Sequence, residues 1–247
     1  MNSNSNSYIF IYSVVMVVIV AAILSTAATV LKPMQLQNVK NEKMSSILAS
    51  ANIESTAENA EELYNKYVVQ ELVINPEGQI VATYEKGKLA GDIRAFDVNI
   101  KTEQFKQKKG EDFVSPLYIC QKDGRKYYII PMLGKGLWGP VWGNIALKED
   151  RNTVVGVIFD HKGETPGLGA EISTSQFEAQ FVDKTIFDEN GNFVSVTIQK
   201  GGAATLPANM QDHAVDAISG GTITSVGVDE MMRSCLNNYV SYFKNQK

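Results

Sequence analysis

The chain is poor in the residues that build metal centres. Among 247 residues it has two cysteines, Cys120 and Cys235, and two histidines, His161 and His213. They form no CxxC pair and no ligand spacing, so no protein-held zinc or iron–sulfur site is expected. Basic runs with interleaved aromatics are also missing, and the net charge is −4, which argues against a nucleic-acid partner. Neither histidine lies in a motif and the carboxylates are scattered, so no catalytic acid–base pair is predicted. There is no internal repeat, and no low-complexity segment beyond the Asn-Ser start.

Long apolar runs are absent with one exception. Residues 8–31 read YIFIYSVVMVVIVAAILSTAATVL without a charge. About 20 helical residues cross the bilayer hydrocarbon, so this run predicts a transmembrane helix after a short tail, residues 1–7. A secretory signal has a basic start and a shorter apolar region, and MNSNSNS has no Lys or Arg. Tyr8 and Tyr12 sit where interfacial aromatics anchor a span. Lys32, Lys40 and Lys43 follow the span, and by the positive-inside rule they put the large domain in the cytoplasm.

The remainder predicts an α+β fold with antiparallel strands. Residues 45–52 read as a weakly helical connector and 54–69 as an amphipathic helix. Residues 71–74 and 79–84 flank the turn Asn75-Pro76-Glu77-Gly78 and predict a hairpin, as do 117–120 and 126–131 around Lys122-Asp123-Gly124-Arg125. The polar stretch 106–111 reads as a loop or lobe boundary. Strands are expected at 141–147, 153–160, 185–187 and 193–198. Helices are expected at 172–179 and from about 226 to 244. A membrane-proximal α/β lobe at 32–125 and a second domain at 126–247 follow from this reading.

Three segments could carry chemistry. Residues 216–225, DAISGGTITS, collect glycines and hydroxyls just before the closing helix. Glycines let successive N–H groups converge on one anion, and a helix N-terminus adds free donors. The segment reads as a phosphate cradle, or as a plain loop with Thr224 or Ser225 as N-cap. Residues 164–169, Glu-Thr-Pro-Gly-Leu-Gly, contain the Pro-Gly signature of a type II turn that presents Leu168 outward, or simply connect to the next helix. Residues 134–140, GKGLWGP, satisfy GxGxxG literally. A dinucleotide fold needs a helix there, and Pro140 with the strand-like VWGNIAL does not supply one. Trp138 is then either a core residue or part of a ligand site.

Asp216-x-x-Ser219-Gly220-Gly221-Thr222 resembles the flavinylation motif of FMN-binding domains in bacterial respiratory complexes, usually Asp-x-x-Ser/Thr-Gly-Ala-Thr. Gly221 stands where Ala is usual. The resemblance implies FMN joined through its phosphate to Thr222 by an exported flavin transferase with FAD as donor. It also implies cofactor contacts at Asp216, Ser219, Gly220, Gly221 and Thr224. Thr165, Gly167 and Leu168 resemble the family's flavin-contacting loop. Gly-Lys-Gly-Leu-Trp, with Leu137 and Trp138, resembles a segment of the C-subunit family of the sodium-pumping NADH:quinone oxidoreductase. That family implies an electron-carrying subunit with no complete activity alone, held with partner subunits in the bacterial inner membrane. It also implies an FMN-binding domain at 126–247 on the periplasmic face, against the lysine count. Two alternatives are the G subunit of the Rnf ferredoxin:NAD oxidoreductase complex, which has a shorter first lobe, and a membrane-anchored, non-redox sensor or binding domain.

Overall fold

The computed structural model describes residues 5–245 and divides into two compact units, Met1–Lys43 and Met44–Lys247. The first unit is helical. Helix α1 (Asn6–Ser50) begins in it, contains the whole uncharged run, and passes Pro33 without a break. By length and composition α1 can cross a membrane. The first four residues of the expected tail lie outside the described residues.

The second unit opens with the last turns of α1, followed by α2 (Ala60–Tyr67), β1 (Val68–Ile74), β2 (Ile80–Glu85), β3 (Lys88–Ala90), α3 (Ile100–Lys109), β4 (Ser115–Lys122), β5 (Arg125–Lys135), β6 (Pro140–Leu147) and β7 (Val154–His161). Then come α4 (Ser175–Ala179), β8 (Thr197–Gln199), α5 (Ala208–Gln211), β9 (Ala214–Asp216), α6 (Thr222–Asn237) and α7 (Val240–Asn245). Strands β1 to β7 form one antiparallel sheet in the order β3-β2-β1-β4-β5-β6-β7, and β8 and β9 pair in parallel. The fold is α+β, as the strand and turn signals predicted.

Both faces of the sheet are covered. Along β4, Leu117 and Ile119 join one buried cluster while Tyr118 and Cys120 join the other. In β6, Ile145 and Leu147 face opposite to Ala146 in the same way. One cluster gathers Met231, Met232 and Leu236 of α6 with Phe243 of α7. The other gathers Met44, Ile47 and Leu48 of α1 with Tyr64 of α2. Two-sided burial explains why 141–147 is almost continuously apolar instead of alternating.

Several expectations change. The polar stretch 106–111 lies mostly in α3, which has no buried residue, so no apolar stripe announced it. Its caps define it: the Asn99 side chain accepts from Thr102 N–H at 3.2 Å, and Gly110 closes it in the left-handed conformation. Residues 185–187 and 193–198 give isolated bridges, Thr153 with Thr185 and Phe187 with Phe193, and only the short strand β8. The helix expected over 54–69 is the shorter α2, and 172–179 divides into a 3₁₀ turn and α4. The connector 45–52 is the end of α1. The boundary expected between 125 and 126 falls in the β4–β5 hairpin, where Lys122 pairs with Arg125 within one sheet.

Candidate functional site

All three glycine-bearing segments meet at one end of the sheet. Residues 136–139 form the turn between β5 and β6, closed by Gly136 N–H donating to the Gly139 carbonyl at 2.8 Å. A second strand, and not a helix, follows the turn, so the dinucleotide reading is excluded. Residues 165–168 form the expected type II turn. Leu168 N–H donates to the Thr165 carbonyl at 3.1 Å and Gly167 has φ +75°. The closing helix starts four residues before its expected position, at Thr222, with Gly221 as N-cap. Neither Thr224 nor Ser225 is the cap. Ser225 Oγ instead accepts from Ile218 N–H at 3.1 Å and so shapes the loop from inside.

A carboxylate that no motif singles out joins the three. Glu164 is 5% exposed. Its Oε1 accepts from Trp138 N–H at 2.8 Å and its Oε2 accepts from the Thr224 hydroxyl at 2.6 Å. Its own N–H donates to His161 Nδ1 at 3.1 Å. Glycines make room for it: a Cβ on Gly136 would stand 2.6 Å from Glu164 Oε1, and one on Gly169 would stand 2.5 Å from Oε2. An acid immediately before a Pro-Gly turn was the available signal, but one carboxylate in a string has many bland explanations.

Around this hub the expected residues divide by exposure. Thr222, Ser219 and Gly220 are exposed, and so are Thr165 and Gly167. Leu137, Trp138 and Leu168 are large apolar side chains left 47%, 69% and 42% exposed. Ile223 and Val226, beside Thr222 on α6, are exposed as well. Leu168 also touches the loop before α6, since a Cβ on Gly220 would lie 2.6 Å from Leu168 Cδ2. Thr224 is buried with its hydroxyl given to Glu164, which makes it part of the frame. Asp216 ends β9, and its carboxylate accepts from Ala203 N–H at 2.7 Å while its own N–H donates to Gln180 Oε1 at 2.9 Å. It anchors the entry to the loop.

The FMN-binding domain family model matches residues 136–237, a stretch that holds segments 164–169 and 216–225 and all but the first two residues of 134–140. The C subunit of the Na(+)-translocating NADH-quinone reductase of Vibrio parahaemolyticus is 36% identical, over 83% of this chain and 81% of that protein. Its counterpart in Pseudomonas aeruginosa is 32% identical, over 94% and 91%. The chain belongs to the C-subunit family of the Na(+)-translocating NADH-quinone reductase. A crystal structure of the family member from Parabacteroides distasonis superposes with a TM-score of 0.76 at 38% identity, covering 88% of this chain and 98% of that one. FMN is the cofactor of the matched domain.

The exposed surface fits that cofactor. Exposed apolar side chains offer dry contact to a flat heterocycle, and the first-turn N–H groups of α6 have no intrahelical acceptors and favour a phosphate.

Proposed function

We propose that this chain carries FMN in phosphoester linkage to Thr222 and relays electrons as a membrane-anchored subunit of an NADH:quinone reductase complex that exports sodium. The observation that supports the linkage most is the position of Thr222, exposed at the first residue of α6. Its hydroxyl is open to a modifying enzyme, and the N–H groups of that helical turn favour the phosphate formed there.

Attachment is a phosphoryl transfer. Thr222 Oγ forms the new bond to the phosphorus of the FMN half of FAD. The bond from that phosphorus to the AMP oxygen breaks, AMP leaves, and the hydroxyl proton passes to a base of the flavin transferase. No electron changes hands. Leu137, Trp138 and Leu168 would hold the ring by apolar contact, and the Thr165–Leu168 turn would offer it backbone polar groups. Bound FMN supplies the one-electron chemistry, and the chain sets its surroundings. A covalent tether prevents loss of the cofactor by dilution outside the cytoplasm. Because the transferase is exported, we assign the unit from Met44 onward to the periplasmic face and the uncharged run of α1, residues 8–31, to the inner membrane, despite the three lysines after the span.

The test is flavin fluorescence in a denaturing gel after co-expression with a flavin transferase. Wild type should give a fluorescent band and Thr222→Ala none. A band of unchanged intensity from the variant would sink the assignment.

A further inference from the structure

Glu164 is a buried carboxylate with an unusual set of partners. Both groups donating to it belong to segments of the flavin site, and both are neutral: the Trp138 backbone N–H and the Thr224 hydroxyl. Burying a carboxylate costs several kcal/mol unless it is well hydrogen-bonded. A core residue of similar size would fill the same volume without that cost. The two donors lie 26 and 60 residues away in the chain. One holds the turn bearing Leu137 and Trp138, and the other holds α6 two residues after Thr222. Glu164 itself precedes the turn that presents Leu168. Gly136 and Gly169 leave no space for a Cβ beside its two oxygens, so the carboxylate is gripped from both sides.

We infer that Glu164 is a positioning residue for flavin attachment, fixing Thr222 and the apolar ring contacts in one geometry through Trp138 and Thr224. This inference rests on the covalent reading above. The carboxylate is turned inward and acts through its two donors. Reactions of this kind are steep in geometry, and a displacement of about 1 Å can cost about a hundredfold in rate.

The amide of Glu164→Gln can reproduce both contacts. Its oxygen accepts from Trp138 N–H, and its NH₂ donates to a rotated Thr224 hydroxyl. Glu164→Ala loses both. Thr224→Val is nearly isosteric and removes one donor, and Thr224→Ser restores it. A control comes from the opposite face of the sheet. Glu71 is equally buried, hydrogen-bonded by Tyr64, Phe96 N–H and Arg94, and remote in the fold from the three segments.

The experiment incubates the full-length chain in detergent with purified flavin transferase and FAD, and follows flavin incorporation with time beside the thermal midpoint of each variant. Glu164→Ala and Thr224→Val should slow incorporation about tenfold or more, whereas Glu164→Gln and Thr224→Ser stay within about threefold of wild type. Glu71→Gln should lower the midpoint and leave the rate unchanged. Wild-type speed in Glu164→Ala, or an equal slowing in Glu71→Gln at matched loss of stability, would overturn the role. Should Glu164→Ala not fold, the Thr224 pair decides by the same criterion. Wild-type chain that acquires no flavin would overturn the covalent reading itself, and the Glu164 role with it.

Discussion

Two neighbouring glycines before Thr222 do different jobs. Gly220 holds φ +75°, where an L side chain is strained, and an added Cβ would lie 2.6 Å from Leu168 Cδ2. Gly221 has φ −103°, open to any residue, and its added Cβ would meet the Ile218 side chain at 2.9 Å and the Leu168 carbonyl carbon at 3.2 Å. Where the resembling motif usually has Ala, Ile218 here takes up the space. Gly220→Ala should therefore cost about 1–3 kcal/mol. Gly221→Ala should stay within about 1 kcal/mol of wild type, because reduced freedom in the unfolded chain offsets a small shift of Ile218. Urea midpoints of the two variants check the order, and a more stable Gly220→Ala would reverse the argument.

Helix α6 sits unusually close to the sheet it covers. A Cβ on Gly227 would stand 2.1 Å from the Lys135 carbonyl oxygen, a backbone atom that cannot swing away. Helix propensity alone favours Gly227→Ala by about 1 kcal/mol. Pushing α6 off β5 costs about 1–3 kcal/mol or more, so the contact wins and the substitution should destabilise the chain. On the proposed linkage to Thr222, which lies on the same helix, it should also lower flavin incorporation. A rise in the thermal midpoint would show propensity winning instead. This close approach was not legible in the sequence, where Gly227 reads only as a poor helix former. Strands β4 to β7 and both hairpins were legible because apolar runs and Asn-Pro-Glu-Gly or Lys-Asp-Gly-Arg turns are local signals. Helix α3 was not, because it lies on the surface and is held by its caps. In the site, the three segments were legible as strings. Their meeting point was not, because Glu164 joins Trp138 and Thr224 across 26 and 60 residues of chain.

On the scale of the whole chain, α1 belongs to both compact units. The apolar run that ends at Leu31 suggests a membrane anchor followed by a separate lobe, and the helix instead continues to Ser50. Its last turns are core: Met44, Ile47 and Leu48 are buried with Tyr64 and Tyr118. Ser46 Oγ accepts from the Asn144 amide at 2.8 Å, tying the helix to β6. A Cβ on Gly156 would lie 2.7 Å from the Ser50 carbonyl, so β7 also closes on the helix end. Burying each large apolar side chain contributes about 1.5–3 kcal/mol. Three of them approach the roughly 5–15 kcal/mol that holds a typical domain. Removal of residues 1–43 should therefore release a soluble chain whose thermal midpoint matches that of the full-length protein in detergent. Removal of residues 1–51 should abolish the cooperative transition or lower it by more than about 15 °C. The two truncations differ by eight residues, none of them in the uncharged run. Equal midpoints by circular dichroism would mean that the end of α1 is only a tether, whereas the expected gap would make its last turns part of the core of the unit from Met44 onward.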